Sequence, residues 1–281
     1  MNGNLKKTFL AAGIAVGMTA VTAQAGQLTD RINSGESIRL GFAVQPPSAY
    51  PGDDNQPLGF ANAITVGVLK KMGYSNIEPI VTDWGGMIPA LAANRLDIVT
   101  GGMYILGSRC KNVEFSEPIA RQYDGFFVLK GNPKHINDYA DIKDSNSIMV
   151  AAAGYNNIEA AKKVGVPEQN IMVVPGPTEM LAAVRSGRAD AGALPFVEVE
   201  HIVAENADIL DATDPTLMPD WTINYTGIAF RPDDRDFLKK FNVALADYLG
   251  TPEMLDAVKD YSYTAQNLPG DKTTAWACEN R

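Results

Sequence analysis

The residues best suited to chemistry lie in one stretch, Asp97-Ile98-Val99-Thr100-Gly101-Gly102-Met103-Tyr104-Ile105-Leu106-Gly107-Ser108-Arg109-Cys110. The planar guanidinium of Arg109 can meet a carboxylate with two parallel hydrogen bonds, so an arginine at a cleft is a ready anion clamp. Tyr104 stands shortly before it, and Gly101-Gly102 let the backbone turn sharply and approach a partner closely. Ile98-Val99 reads as a short buried strand ending at that turn. The pattern is a strand end that opens onto a cleft. By spacing alone, Arg109 fits a solvated loop arginine equally well. Covalent chemistry finds less support, because no Ser-His-Asp set, nucleophilic cysteine or carboxylate pair stands out. Both histidines, His135 and His201, sit in polar contexts without metal-ligand spacing, so neither a metal nor another cofactor is expected.

A β-α-β-α-β order leads up to that stretch. Residues 37–43 predict a strand, 61–72 a helix stopped at Gly73, and 77–82 a second strand. Trp84-Gly85-Gly86 then enters a helix whose apolar face is Met87, Ile88, Leu91 and Ala92. Such alternation argues for a parallel sheet with helices on its faces.

The pattern then restarts. Strands are predicted over 125–129, 147–151 and 171–174, with a polar turn over 130–144 and a helix opened by Gly154-Tyr155-Asn156-Asn157. The segment 180–191 repeats the Met, Arg and Asp spacing of 87–98, so one helix-turn-strand unit serves each of two lobes. A helix over 197–205 and a solvated acidic run over 208–220 precede a strand over 226–230 that returns to the first lobe. A helix over 237–249 follows, and another begins with Thr251 as its cap and Pro252 at its first position. A segment inserted through two crossings makes a hinge, with the ligand cleft between the lobes. The expected division is 26–123 plus 227–281 for lobe 1 and 124–226 for lobe 2.

Lys6 and Lys7 precede an apolar stretch over 9–21, and Ala23-Gln24-Ala25 offers small residues for cleavage before Gly26. This reads as a secretory signal peptide over 1–25. It is too short and too rich in Ala and Gly for a membrane span, and no later segment approaches the needed length. No cysteine follows the cleavage point to carry a lipid anchor, so a free periplasmic protein is expected. Without Lys6 and Lys7, the 24 basic and 33 acidic residues leave a net charge of about −11. Such acidity repels nucleic acid and anionic lipid, which are not expected partners. In an oxidising compartment Cys110 and Cys278 read as one disulfide closing a long loop, worth roughly 3–5 kcal/mol. Two buried free thiols are the alternative.

Ala92, Asn94, Arg95, Leu96 and Asp97, then Gly102-Met103 through to Arg109, and Val113-Glu114-Phe115-Ser116-Glu117-Pro118 carry a resemblance. Over essentially all of the chain past residue 25, it resembles the extracytoplasmic solute-binding proteins of ABC importers for polar amino acids. The resemblance implies an α/β, two-lobed periplasmic-binding-protein fold of type II. Each lobe would be a mostly parallel sheet flanked by helices, with the ligand cleft at the hinge. It implies that Arg109 binds the ligand carboxylate, and that the 153–157 loop, with Tyr155 and Asn156, adds donors at a helix N-terminus. Glu117 is expected to cap or pair near the hinge.

Members of that family place an Asp shortly after the second-lobe strand, where it meets the ligand ammonium. Here the stretch reads Ala193-Leu194-Pro195-Phe196-Val197, with no acid before Glu198. A primary ammonium would lose its charge partner, so a delocalised or substituted cation held by aromatic faces is expected. Gly101-Gly102-Met103-Tyr104 with Arg109-Cys110 is more similar to the ectoine/hydroxyectoine-binding branch, which holds a cyclic zwitterion in an aromatic box. Trp84 and Tyr104 match box positions, with Gly102 beside them. Gln45 stands where that branch has an acid, and Ser48 where it has an aromatic. Tyr50 could fill the gap, while Phe60 reads better as the start of the first-lobe core. Phe196, Trp221 and Tyr225 are candidates for the second-lobe wall.

The expected function is therefore the substrate-binding component of an ABC importer for ectoine or 5-hydroxyectoine, acting by hinge closure. Its partners would be the zwitterion and an inner-membrane permease, and it would act as a monomer. The alternatives are a polar amino-acid or betaine binder of the same family, or a periplasmic dehydratase resembling cyclohexadienyl dehydratase. The last would need a general acid or base in the cleft.

Overall fold

The computed structural model describes residues 26–281, and the expected signal peptide over 1–25 lies outside them. Helix α1 (Gln27–Asn33) precedes β1 (Ile38–Phe42), a small hairpin of β2 (Tyr50–Pro51) and β3 (Pro57–Leu58), and α2 (Phe60–Lys71). There follow β4 (Ile77–Val81), α3 (Met87–Ala92), β5 (Ile98–Val99), α4 (Gly107–Cys110), β6 (Glu114–Phe115) and β7 (Ala120–Gln122). The second set is β8 (Asp124–Leu129), α5 (Tyr139–Asp144), β9 (Met149–Ala152), α6 (Asn156–Lys163) and β10 (Ile171–Val174). It continues with α7 (Pro177–Arg185), β11 (Ala191–Pro195), α8 (Phe196–Glu205) and β12 (Leu210–Ala212). Strands β13 (Asn224–Thr226) and β14 (Ala229–Phe230) lead back to α9 (Arg235–Tyr248), α10 (Pro252–Val258) and α11 (Thr274–Asn280).

Two sheets of five strands result, in the orders β4-β1-β5-β14-β6 and β10-β9-β11-β8-β12. In each, the first two pairings are parallel and the last two antiparallel. The sheets are thus mixed, where mostly parallel ones were expected. Only the strands reached through a helical crossover must run parallel. Strands β8 and β14 arrive from the opposite lobe and pair the other way.

The expected strand over 226–230 is also broken. Residues through Thr226 pair with β7, whereas Ala229 pairs with Val99 and Phe115 in the first sheet. Gly227 sits at the break, its N–H on the Met103 carbonyl at 2.9 Å. The antiparallel β7–β13 pair is therefore where the chain passes between the lobes. The acidic run over 208–220 is not wholly solvated: within it β12 buries Leu210 and forms an edge of the second sheet.

The repeated unit is a repeat in space. Asn94 after α3 and Gly187 after α7 both take left-handed backbone, with φ of 57° and 70°. The following Arg95 and Arg188 N–H groups then bond back to Ala90 and Ala183 at 2.8 and 2.9 Å. Leu40, Ile64, Val68, Phe230 and Phe241 centre the main first-lobe core, and Phe126, Phe127, Met149 and Val150 fill the second. Cys110 and Cys278 form a disulfide that ties α4 to α11.

Candidate functional site

The site is built where β5 ends. Gly101 and Gly102 have φ of 92° and 74°, which glycine adopts without strain. A Cβ on Gly102 would stand 3.1 Å from that of Ser48, so the turn presses against the first loop. In that loop the Ser48 and Ala49 N–H groups fold back on the Gln45 carbonyl at 2.8 and 2.9 Å. This tight turn buries both Gln45 and Ser48. Tyr104 bridges to Thr226 at the hinge and is buried as well.

Gln45, Trp84, Gly102 and Tyr104 of the first lobe face Tyr155, Asn156, Pro195 and Glu198 of the second across a chamber of about 10 Å³. A wider mouth of about 720 Å³ adjoins it, with Asp83, Glu179, His201 and Glu205 on its walls. The lobes touch around this chamber. Ser48 donates its hydroxyl to Glu198 Oε1 at 2.9 Å, and the Gln45 amide donates to the Tyr155 hydroxyl. The Trp84 indole and Arg109 Nη2 both donate to the Gly154 carbonyl, at 3.2 and 2.9 Å. The rings of Trp84 and Tyr155 meet edge-on, with centroids 5.2 Å apart.

Burial governs the electrostatics. It pushes the Glu198 carboxyl up to about 8, against the smaller opposing effect of the Ser48 hydrogen bond. It pushes Asp124 up to about 7, partly offset by hydrogen bonds from Tyr139, Asn156 and Asn224. The phenols of Tyr104 and Tyr155 lie well above their usual value, first through burial and then through neighbouring carboxylates. Burial draws Arg109 down to about 10, which leaves it charged at neutral pH. Among the described residues, Gln45 Oε1, the Tyr104 hydroxyl and Glu198 Oε2 are buried without a hydrogen-bond partner.

Of the residues singled out in the sequence, Gln45, Trp84, Gly102, Tyr104, Tyr155 and Asn156 meet in the chamber. Arg109 stands beside it. Its Nη1 donates to the Tyr104 carbonyl at 2.9 Å, and its guanidinium lies 5.5 Å from the Trp84 ring. It lines an adjoining cavity of about 240 Å³ with Trp84, Ser108, Gly154 and Glu159.

Phe196 does not line the chamber. It packs into the second-lobe core, close enough to Gly125 that a Cβ there would stand 2.7 Å from its ring. Trp221 stacks on Tyr139 in a separate cavity that holds Asp124, and Tyr225 packs against Trp276. Tyr50 meets Tyr261 and Phe60 joins the first-lobe core, so neither fills the gap in the box. Glu117 accepts the Thr274 N–H at the start of α11 at 3.1 Å, a capping role. His201 lies at the mouth, and His135 occupies a left-handed turn elsewhere.

The residue that sequence reasoning passed over is Glu198. No acid stands directly at the strand end, where the sequence reads Pro195-Phe196-Val197. The third position of α8 turns the Glu198 side chain back toward the strand end, and Ser48 reaches it from the other lobe. An acid in the first turn of the helix that follows the strand was the available signal. Among the described residues, no group of three or more His, Cys, Asp or Glu side chains could hold a metal ion. Nor is any of their helices long and apolar enough to cross a membrane.

Residues 38–262 match the family model described as bacterial extracellular solute-binding proteins, family 3. A protein of Sinorhizobium fredii named probable amino-acid ABC transporter periplasmic-binding protein y4tE is 29% identical, over 96% of this chain and 92% of that one. The crystal structure of EhuB in complex with hydroxyectoine superposes with a TM-score of 0.80 at 27% identity, over 90% of this chain and 97% of EhuB. The ancestral amino acid-binding protein AncCDT-1, titled a precursor of cyclohexadienyl dehydratase, superposes with a TM-score of 0.70 at 27% identity, over 84% and 99%.

Proposed function

Because the chain belongs to family 3 of the bacterial extracellular solute-binding proteins, we propose that it is the substrate-binding component of an amino-acid-type ABC importer. In this reading it captures a small zwitterion in the periplasm and presents it to an inner-membrane permease. The name of the Sinorhizobium fredii relative supports the class. The observation that carries the reading is the cleft between the lobes, whose mouth of about 720 Å³ leads to a narrow chamber walled from both sides by aromatic rings and by polar atoms without partners. A solute that touches both walls binds the closed form better than the open one, which is what drives closure. The lobes are 26–123 plus 227–281 and 124–226, hinged at β7 and β13, and the protein acts as a monomer.

The solute proposed is ectoine or 5-hydroxyectoine. Trp84, Tyr104 and Tyr155 border the chamber with rings that suit a cyclic cation, each face contributing about 0.5–2 kcal/mol. The likeness to hydroxyectoine-bound EhuB supports this choice. The solute carboxylate takes the place of the Gly154 carbonyl on Arg109 Nη2, adding a charge-assisted pair. A polar amino acid is the second reading, favoured by Glu198, whose carboxylate can meet a primary ammonium.

A thermal-shift screen against ectoine, 5-hydroxyectoine, glycine betaine and the polar amino acids tests the proposal. A solute at a hundred times its Kd adds roughly 2.7 kcal/mol of stability. A shift with ectoines alone supports the narrow reading, and a shift with an amino acid alone replaces it. No shift with any of them, together with product formation from prephenate, moves the protein to the dehydratase class.

A further inference from the structure

A buried carboxylate with a free oxygen stands where the lobes meet. Glu198 is 3% exposed, its Oε1 takes the Ser48 hydroxyl from across the cleft, and its Oε2 has no partner among the described residues. Gln45 Oε1 and the Tyr104 hydroxyl are equally buried and unpartnered on the same chamber. An ionised carboxylate and an amide oxygen can only accept, and the Tyr104 phenol, the one donor among the three, makes no hydrogen bond to either of them.

The titratable and charged groups packed around Glu198 supply no cation to its free oxygen. Tyr104 and Tyr155 carry phenols that burial keeps protonated, and Asp124 lies near enough to act on Tyr104. Gln45 and Ser48 on the facing loop are uncharged. Along α8 at the mouth lie His201 and Glu205, which pair with each other at 3.6 Å, and Asp83 and Glu179 are acidic. Arg109 is turned to the carbonyls of Tyr104 and Gly154.

We propose that Glu198 is the cation-recognition residue of the cleft and a lock on its closure: the lobes meet only when its free oxygen receives a proton, bound to the carboxylate itself or shared from an N–H of the solute's cation. The cause is desolvation. An ionised carboxylate is stable in the open, wet cleft and costly in a closed chamber where Ser48 alone donates to it. Burial lifts Glu198 from an ordinary 4.5 to about 8. Each pH unit across that range lowers the closed-to-open ratio of the solute-free protein by up to about tenfold. A solute cation bearing N–H groups removes the penalty. A quaternary ammonium, which has none, removes only its Coulombic part. The proposal rests on the lobe closure of the transport reading, and not on which solute is carried.

Small-angle scattering of the solute-free protein at about pH 5.5 and about pH 9 reads the lock directly. The wild type should be compact at the lower pH and expanded at the higher. Glu198→Gln, which is isosteric and keeps the Ser48 hydrogen bond, should be compact at both. Asp124→Asn, which removes the other buried carboxylate, should behave as the wild type. Dimensions independent of pH in the wild type, or a response abolished by Asp124→Asn and kept by Glu198→Gln, overturn the lock.

In a second arm, 5-hydroxyectoine and L-glutamine are compared with glycine betaine by thermal shift. At least one of the two N–H cations should act on the wild type at concentrations about tenfold below those of glycine betaine. Glu198→Gln should erase that preference. Equal responses of wild type and Glu198→Gln to all three solutes overturn the recognition role. Compaction that follows Glu198 while none of the three shifts the midpoint leaves the lock standing and removes the transport reading for these solutes.

Discussion

Asp97 and Asp190 hold equivalent posts in the two lobes. Each carboxylate accepts a backbone N–H at the start of the second strand of its sheet, β1 or β9, from Arg39 at 2.9 Å and from Ile148 at 2.8 Å. Each returns its own N–H to the same residue's carbonyl, at 2.9 and 2.8 Å. The difference lies in charge. Asp97 is also paired with Arg39 at 2.8 Å and with the buried Arg231 at 3.2 Å.

The twin posts should therefore respond unequally to the same change. Asp97→Ala removes a buried carboxylate that three arginines share, although Arg231 keeps Asp234 at 2.7 Å, and should cost about 3 kcal/mol. Asp190→Ala removes a hydrogen bond at a half-buried strand end and should cost about 1 kcal/mol. Urea midpoints of the two variants check this, and equal losses would contradict the assignment.

Arg109 is expected to decide affinity more than stability. Arg109→Met removes the charge-assisted pair proposed for the carboxylate, worth roughly 1.5–3 kcal/mol, or about ten- to a hundredfold in Kd. Arg109→Lys should recover little, because one ammonium cannot reproduce the planar fork. Calorimetric titration with 5-hydroxyectoine, or with whichever amino acid the screen selects, reads the outcome. Binding by Arg109→Met as tight as that of the wild type would falsify the clamp.

Trp84 offers both a ring face and an indole N–H on the Gly154 carbonyl. Trp84→Ala should weaken a cyclic cation by about 1–2 kcal/mol, while Trp84→Phe keeps a face and should lose less than half of that. Both variants should unfold close to the wild-type midpoint, since Trp84 stands at the cleft surface and lines its cavities.

The pH profile of the solute-free protein follows from three carboxyls. Asp124 and Glu198 are held above their ordinary values by burial, at about 7 and about 8. The folded chain binds those protons more tightly than the unfolded chain. Their contribution is complete below about pH 4 and is lost as pH rises through those folded values. Asp97 acts in the opposite sense. Burial alone would raise it, but hydrogen bonds from Arg39 and the charges of Arg39 and Arg231 together hold it below the ordinary carboxylate value. Its contribution is present above about pH 4 and is lost on acidification. Thermal midpoints should peak near about pH 4 and decline toward about pH 9, and a combined Asp124→Asn, Glu198→Gln variant should flatten that decline. A midpoint that climbs steadily across the same range would contradict the assignment.

The disulfide should matter to stability and to the site together. Cys110 follows Arg109 directly, and the Cys110–Cys278 bridge spans a separation of 168 residues. Loop entropy puts its contribution at roughly 3–5 kcal/mol. A Cys110→Ser, Cys278→Ser variant should unfold at correspondingly lower denaturant. Its solute affinity should fall as well, because α4, which carries Arg109, would be released from α11.

The sequence by itself determined the elements whose cause is local. Alternating apolar runs and helix stops placed β1, β4, β10, α2 and α9 to within a residue or two. The Met, Arg and Asp spacing announced the doubled unit because each copy folds against its own turn, Asn94 in one and Gly187 in the other. Gly101-Gly102 and the aromatic residues near them marked one wall of the cleft for the same reason. Only the tertiary structure decided what depends on the second lobe. Strands β8 and β14 run antiparallel because they enter from the opposite lobe, and Phe196 turns into the core because Gly125 leaves room for its ring. Glu198 became a site residue because Ser48, distant in the chain, meets it across the cleft. Burial and the absence of a counter-charge are properties of an enclosed volume, and a volume exists only once both of its walls are in place.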